Sequence, residues 1–397
     1  MPDDATAKHN ARVLAVATAL GGASPPIIVS LGGLVGQTLS PDKTLATLPV
    51  SLLQLGLATG TIPAALIMRR LGRRNAYMVG ALIGILAGSV AAQGIASAAF
   101  AVFCLGTFLA GWWGSFVQSY RFAAIDTASE AFKARAISWV MIGGLAAGFV
   151  GPQTVIWTRD LVAGIPFAGS FFGQAVLALL TIPVVALMRP GSVAEARGGG
   201  GGRPLPEIMR QPRFVVAVVT GLVSYGLMSF LMTAAPVAMV GCGHAVGEAA
   251  LGIQWHILAM FGPSFFTGRL IARYGKERVT AAGLALIAVA AAVGLSGITV
   301  AHFWIGLILL GIGWNFGFIG ATALVTDCYR PEERAKVQAA NDFLVFGSVA
   351  VASFASGKLL TTGGWETVNW LVFPPVALAL ALLAWHGRSR TGAPAAA

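Results

Sequence analysis

Two pairs of side chains able to hold a soft cation stand in the middle of the chain: Met228 with Met232, and His256 with Met260. A spacing of four places the members of each pair one turn apart on one helix face. The apolar segments carrying them flank the short break Gly241-Cys242-Gly243-His244, so an antiparallel hairpin is expected. At about 1.5 Å rise per residue, Met232 and Met228 lie about 12 and about 18 Å down one helix, and His256 and Met260 about 15 and about 21 Å down the other. All four then approach the midplane of a hydrocarbon core about 30 Å thick. Thioethers and imidazole suit Cu(I) better than Mg²⁺ or Ca²⁺. Methionine is also ordinary packing material in apolar cores, and a histidine one turn before it is often a hydrogen-bonded core residue. The bare residues therefore leave metal handling and packing both open. Cys242 at the mouth of the hairpin suits metal entry or redox sensing, or is incidental.

The elements that must position these residues are membrane helices. Of 397 residues, 56% are hydrophobic and only 10% charged, which indicates an all-α polytopic integral membrane protein. The N-terminal stretch Met1 to Asn10 is polar and short, without the pattern of a secretory signal. The net charge of +11 would suggest nucleic acid in a soluble protein. Here the cations sit in every second loop: Arg69, Arg70, Arg73 and Arg74; Lys133 and Arg135; Arg189, Arg197, Arg203 and Arg210; Arg273, Lys276 and Arg278; Arg330, Arg334 and Lys336. The positive-inside rule places these loops in the cytoplasm, with both termini (Lys8, Arg12, Arg388, Arg390). The expected location is a bacterial inner membrane, and the expected contact is the lipid bilayer, not nucleic acid. Cys104, Cys242 and Cys328 make no disulfide framework.

Twelve spans are expected, at 12–37, 44–68, 75–97, 99–125, 136–158 and 165–188, then 213–240, 246–271, 278–298, 301–326, 337–360 and 367–385. They divide the chain into an N-terminal six-helix half (1–188), a cytoplasmic linker (189–212) and a C-terminal six-helix half (213–397). The glycine run 198–202 makes the linker read as a flexible, solvated connector.

The halves repeat. Arg70-Leu71-Gly72-Arg73 follows the second span and Arg273-Tyr274-Gly275-Lys276 the eighth; Asp126 precedes Lys133-Ala134-Arg135 as Asp327 precedes Arg334-Ala335-Lys336. Parallel repeats of six helices imply alternating access around a midplane site. Arg70, Gly72, Arg73, Asp126, Arg273, Gly275, Lys276 and Asp327 are the expected cytoplasmic gating positions. Over essentially its whole length the chain resembles the major facilitator superfamily. That family's loop reads Gly-x-x-x-Asp-Arg-x-Gly-Arg; here Ala65 and Arg69 replace its Gly and Asp, and in the second half Gly268 is kept while Ala272 replaces the Asp.

Polar residues within spans are costly and mark function by default. Arg121, Asn315 and Asp342 are candidates for the cavity or for coupling, with interfacial anchoring as the plainer reading of Arg121 and Asp342. Gln54, Gln93, Gln153 and Gln174 suit a cavity lining or interhelical hydrogen bonds. Gly143, Gly144, Gly148 and Gly151-Pro152 loosely resemble the glycine-proline motif of drug antiporters. No nucleophile stands with His256 and no phosphate loop is present, so no enzyme is expected.

Met228-x-x-x-Met232 and His256-x-x-x-Met260, with the run from Gln254 to Gly268 and Tyr120-Arg121-Phe122-Ala123-Ala124-Ile125-Asp126, resemble the CcoA-type copper importers of that superfamily. The resemblance implies Met228, Met232, His256 and Met260 as copper ligands, Cys242 as an assisting thiol, and copper import for assembly of haem-copper cytochrome oxidase. Copper would be the transported substrate, no cofactor would be permanently bound, and a cytoplasmic copper chaperone or a copper-exporting ATPase would be the partner of a monomer. Two alternatives stand beside it: a carrier of an organic solute such as riboflavin or a drug, with the Met/His pairs as packing, and a copper sensor or scaffold that binds without transporting.

Overall fold

The computed structural model describes residues 4–189 and 202–391. The linker residues 190–201, with Arg197 and most of the glycine run, lie outside the described residues, as do the side chains of Arg388 and Arg390. Within the described residues the chain is helical and without strands. In chain order the helices are α1 (Asp4–Gly21), α2 (Ser24–Leu39), α3 (Leu48–Ala96), α4 (Phe100–Ala123), α5 (Glu130–Thr158), α6 (Ala168–Ala186), α7 (Leu205–Met209), α8 (Pro212–Gly241), α9 (Val246–Phe261), α10 (Ser264–Tyr274), α11 (Lys276–Ser296), α12 (Val300–Val325), α13 (Arg334–Trp370) and α14 (Phe373–Thr391).

These fourteen pieces account for the twelve expected spans. Among the described residues, nine stretches are long and apolar enough to cross a membrane. Two of them run to 54 and 51 residues, about twice what one crossing needs. Each turns back at a glycine of positive φ, Gly72 in α3 and Gly364 in α13. The remaining crossing is α9 with α10. It is broken at Gly262-Pro263, because proline has no N–H to donate and crowds the preceding turn. The sequence reading had an unbroken span at 246–271.

The chain forms two compact units, one of Met1–Glu195 with Thr233–Leu258, the other of Ala196–Met232 with Ala259–Ala397. In unit 1 the packing follows small residues. Gly80, Gly84 and Gly88 repeat every four residues on α3; a Cβ at Gly84 would lie 2.5 Å from the Trp113 ring and one at Gly80 2.7 Å from Phe116. Gly88 admits the Phe171 backbone. Lipid tails are as apolar as leucine, so helices in a bilayer associate through such close van der Waals fit and interhelical hydrogen bonds. Around this stripe lies a core of Leu14, Tyr77, Trp113, Phe116, Tyr120 and Val185, with Tyr77 edge-on to Tyr120 at 4.6 Å. Segment 233–258 joins this unit through Gly33 against Val237, Gly148 against Ile257, and a 3.0 Å hydrogen bond from Gln153 to Gln254.

In unit 2, α11 and α12 meet through Gly283, Gly313 and Gly317. Trp365 donates to the Gly294 carbonyl at 3.1 Å and tilts against Phe303 at 5.0 Å. The α8–α9 turn is closed locally. Gly243 takes φ +90 while the His244 N–H reaches back to the Met239 carbonyl, and Glu248 accepts from the Ala245 N–H at 2.9 Å, as a capping carboxylate does.

Candidate functional site

The four expected ligands are all buried: Met228, Met232, His256 and Met260. Met228, Met232 and Met260 belong to unit 2 and His256 to unit 1. Cys242 is exposed in the α8–α9 turn, whereas Cys104 and Cys328 are buried. Burial pushes the Cys328 thiol up to about 11. Among the described residues no three His, Cys, Asp or Glu side chains converge as a metal site would require.

The polar centre of unit 2 is Asn315 on α12, fully buried. Its amide donates to the Met260 carbonyl at 2.6 Å and to Ser264 Oγ at 2.7 Å, and its Oδ1 accepts from Thr267 Oγ1 at 2.5 Å. These three partners straddle the Gly262-Pro263 break. Asn315 therefore serves the carbonyl at the end of α9 and fixes the start of α10, as irregular backbone in a bilayer demands. Met260 enters through its main chain here.

Next to this hub lies an aromatic group with rings from α8, α12 and α13. Trp314 and Phe318, one turn apart on α12, stack at 5.4 Å with 17° between planes. Tyr225 of α8 touches Trp314 at 5.4 Å, Phe318 at 5.0 Å and Phe346 of α13 at 5.8 Å. Phe261 meets the outer edge of Trp314 at 6.1 Å. Met228 follows Ser224 by one turn on α8, so the first methionine of the expected clamp shares the face that carries this group. The sequence reading missed these rings. Trp314 and Phe318 four apart were its visible signal, but Tyr225 and Phe346 join them only through the tertiary fold.

The expected gating positions are partly brought together, within each unit separately. In unit 1, Arg73 pairs with Asp126, Nη2 donating to Oδ1 at 2.9 Å and Nη1 to the Tyr77 hydroxyl at 3.3 Å. In unit 2, Lys276 pairs with Asp327 at 2.6 Å and with the Ala323 carbonyl at 3.0 Å, and Arg213 adds a second cation to the same carboxylate. Burial pushes the Asp126 carboxyl above its usual range against the pull of Arg73. Gly72 (φ 74, ψ 163) and Gly275 (φ 89, ψ 156) hold the same backbone conformation immediately before the two cations. That region is essentially reserved for glycine. Arg70 is exposed, and Arg273 lies over the Tyr274 ring at 5.3 Å.

Arg121 is exposed, with its guanidinium 4.9 Å from the Phe122 ring centre. Asp342 is exposed and accepts from Asn341 at 3.2 Å. The described end of the linker is clamped, while the glycine run behind the flexible reading lies mostly outside the described residues. Arg203 grips Glu333 with Nε at 3.0 Å and Nη2 at 2.8 Å, its own N–H reaches the same carboxylate at 2.7 Å, and Lys336 holds the Arg203 carbonyl at 2.5 Å. The Arg203 hydrogen bonds hold the Glu333 carboxyl well below the usual carboxylate range.

Helices with duplicated turns, a broken crossing and buried polar hubs are the architecture of a solute carrier of the bilayer. The Major Facilitator Superfamily profile matches residues 244–396. The riboflavin transporter RfnT of Brucella anthropi is 62% identical over 382 residues, 96% of each chain. The uncharacterized transporter YddS of Bacillus subtilis is 29% identical over 91% of this chain and 87% of its own. The solved structure of the nucleoside transporter NupG superposes with a TM-score of 0.71 at 16% identity, covering 95% of this chain and 99% of that one, a likeness of fold. The chain belongs to the major facilitator superfamily and is a multi-pass membrane transporter, not an enzyme.

The RfnT relation corrects the copper reading. The resemblance to CcoA-type importers does not hold at branch level. Copper as cargo, metal binding at Met228, Met232, His256 and Met260, the copper chaperone or exporting ATPase as partner, and supply of cytochrome oxidase all fall with it. The physical reason is that sulfur and imidazole one turn apart on apolar helices are equally the pattern left by gap-filling methionines and a core histidine.

Proposed function

We propose that this chain carries riboflavin across the bacterial inner membrane into the cytoplasm, by alternating access and without a resident cofactor. The observation that carries the reading is 62% identity along nearly the full length of a riboflavin transporter. The chemistry of unit 2 supports it: partly open rings beside buried hydrogen-bonding groups suit a flat heteroaromatic cargo better than an ion. In this reading Met228, Met232, His256 and Met260 pack the helices. Paired cations at Asp126 and Asp327 lie on the cytoplasmic side, as the alternation of basic loops requires. The test is uptake of radiolabelled riboflavin by a riboflavin-requiring bacterium that expresses the protein at verified membrane levels. Saturable uptake and growth on limiting riboflavin are expected, with copper content unchanged. No uptake above the empty-vector strain would refute the proposal.

A further inference from the structure

Resting on the flavin reading, we propose that the partly open rings of Tyr225, Phe318 and Phe346 beside Trp314 form the surface on which the cargo's ring system stacks, and that the Trp314 indole N–H and the Ser224 hydroxyl are the donors that meet its ring carbonyls. Trp314 is 7% exposed and Ser224 0%. Neither Trp314 Nε1 nor Ser224 Oγ has a hydrogen-bond partner among the described residues. A buried tryptophan ordinarily finds an acceptor, and leaving such a group unmet is costly. Two unmet donors therefore flank one ring group. Ser224 reaches it because position 317 is glycine: a Cβ there would collide with the serine hydroxyl.

The openness of the surrounding rings separates this arrangement from ordinary packing. Unit 1 also buries an indole without an acceptor, at Trp113, but its neighbours Phe116 and Val117 are themselves buried. Around Trp314, by contrast, Tyr225, Phe318, Phe346 and Phe261 are all only partly covered. Their faces are π-surfaces with nothing charged among them. The residues of the group, with Asn315, Ser264 and Thr267 beside it, carry no formal charge. A neutral planar ring with carbonyls at one edge satisfies both donors and covers the rings. A phosphorylated flavin would bring an anion toward a site without a cation, a costly burial. The site thus selects the neutral ring.

The experiment is riboflavin titration of the full-length protein in nanodiscs, read by quenching of flavin fluorescence. The variants are Trp314→Phe, Ser224→Ala and, as a control for a buried indole elsewhere, Trp113→Phe. Trp314→Phe keeps an aromatic face and removes the donor, and should weaken binding by about tenfold; Ser224→Ala should weaken it by roughly threefold to tenfold. Trp113→Phe should bind as wild type. Lumichrome, the ring without the ribityl chain, should displace riboflavin, and flavin mononucleotide should not. Wild-type affinity in both Trp314→Phe and Ser224→Ala, or displacement by ribitol and not lumichrome, would overturn the assignment while leaving riboflavin transport intact. Absence of riboflavin binding to the wild type would instead overturn the transport reading on which the assignment stands.

Discussion

Replacing Asn315 with leucine, of similar volume and without hydrogen-bonding atoms, tests whether the broken crossing is held from α12. The substitution deletes three hydrogen bonds, to Met260 O, Ser264 Oγ and Thr267 Oγ1. Within membranes a side-chain hydrogen bond averages about 0.6 kcal/mol, and in proteins generally about 0.5–1.5 kcal/mol. Three bonds then give roughly 2–4 kcal/mol. Which end of that range applies depends on the groups left behind. Thr267 keeps its bond to the Pro263 carbonyl at 2.8 Å, so its hydroxyl is not stranded. The Met260 carbonyl sits at the end of α9, where carbonyls lack helical donors, and losing the Asn315 amide pushes the cost toward the upper end. Unfolding in mixed micelles titrated with SDS, followed by tryptophan fluorescence, should show Asn315→Leu destabilised by about 3 kcal/mol. Thr267→Val removes the hydroxyl that Asn315 Oδ1 and the Pro263 carbonyl share, and should cost about 1–2 kcal/mol. The double variant should cost less than the sum, because the two residues share that bond. A change below about 0.5 kcal/mol for Asn315→Leu, or strict additivity with Thr267→Val, would refute the hub.

Gly72→Ala and Gly275→Ala should each cost about 1–3 kcal/mol through backbone strain alone, since no atom lies within 4 Å of a Cβ at Gly72 and only a Glu277 oxygen, at 3.9 Å, near one at Gly275; unchanged thermal unfolding in both would show that the turns relax freely. Glu333→Gln tests the linker clamp through pH. The folded carboxyl lies below its ordinary value near 4.5, so its stabilising effect is complete above that value and is lost as pH falls through the depressed one. Wild type should lose thermal stability between about pH 6 and about pH 3 more steeply than Glu333→Gln, and parallel pH profiles would remove the clamp from the argument.

The twelve crossings were legible because hydropathy and basic loops are properties of composition along the chain. The turns at Gly72 and Gly275 were legible too, each flagged by a glycine followed by a cation at the same point of each half. What resisted was anything made by meeting. Glu333 and Arg203 lie 130 positions apart, and nothing in either neighbourhood announces the other. Asn315 was visible as a costly polar intrusion, but not the helix break it serves, although Gly262-Pro263 stood in the sequence as its cause. The methionine and histidine pairs misled for the opposite reason. Their local spacing was fully visible, and local spacing is shared by a ligand set and by packing, so it could not choose a cargo, and the whole-chain relation to a riboflavin transporter speaks against copper.

The two glycine turns show how pairing persists when a motif is lost. The family's loop carboxylate is replaced by Arg69 in the first half and by Ala272 in the second, which by sequence alone would leave each loop's cation without a counterpart. In each unit the cation that follows the turning glycine instead reaches the aspartate just beyond the next helix but one, Arg73 to Asp126 and Lys276 to Asp327. The glycine makes this possible, because its backbone conformation re-aims the chain so that the following residue starts a new helix pointing at that aspartate. The halves then differ in strength. Asp126 faces a single guanidinium and is pushed upward by burial, whereas Asp327 is shared by Lys276 and Arg213 and stands beside the Arg203–Glu333 clamp. A partly buried carboxylate with one partner is the easier of the two to uncouple, since release strands one cation instead of two. The duplicated architecture thus carries a tighter turn in unit 2, where Arg203 is anchored, and a looser one in unit 1.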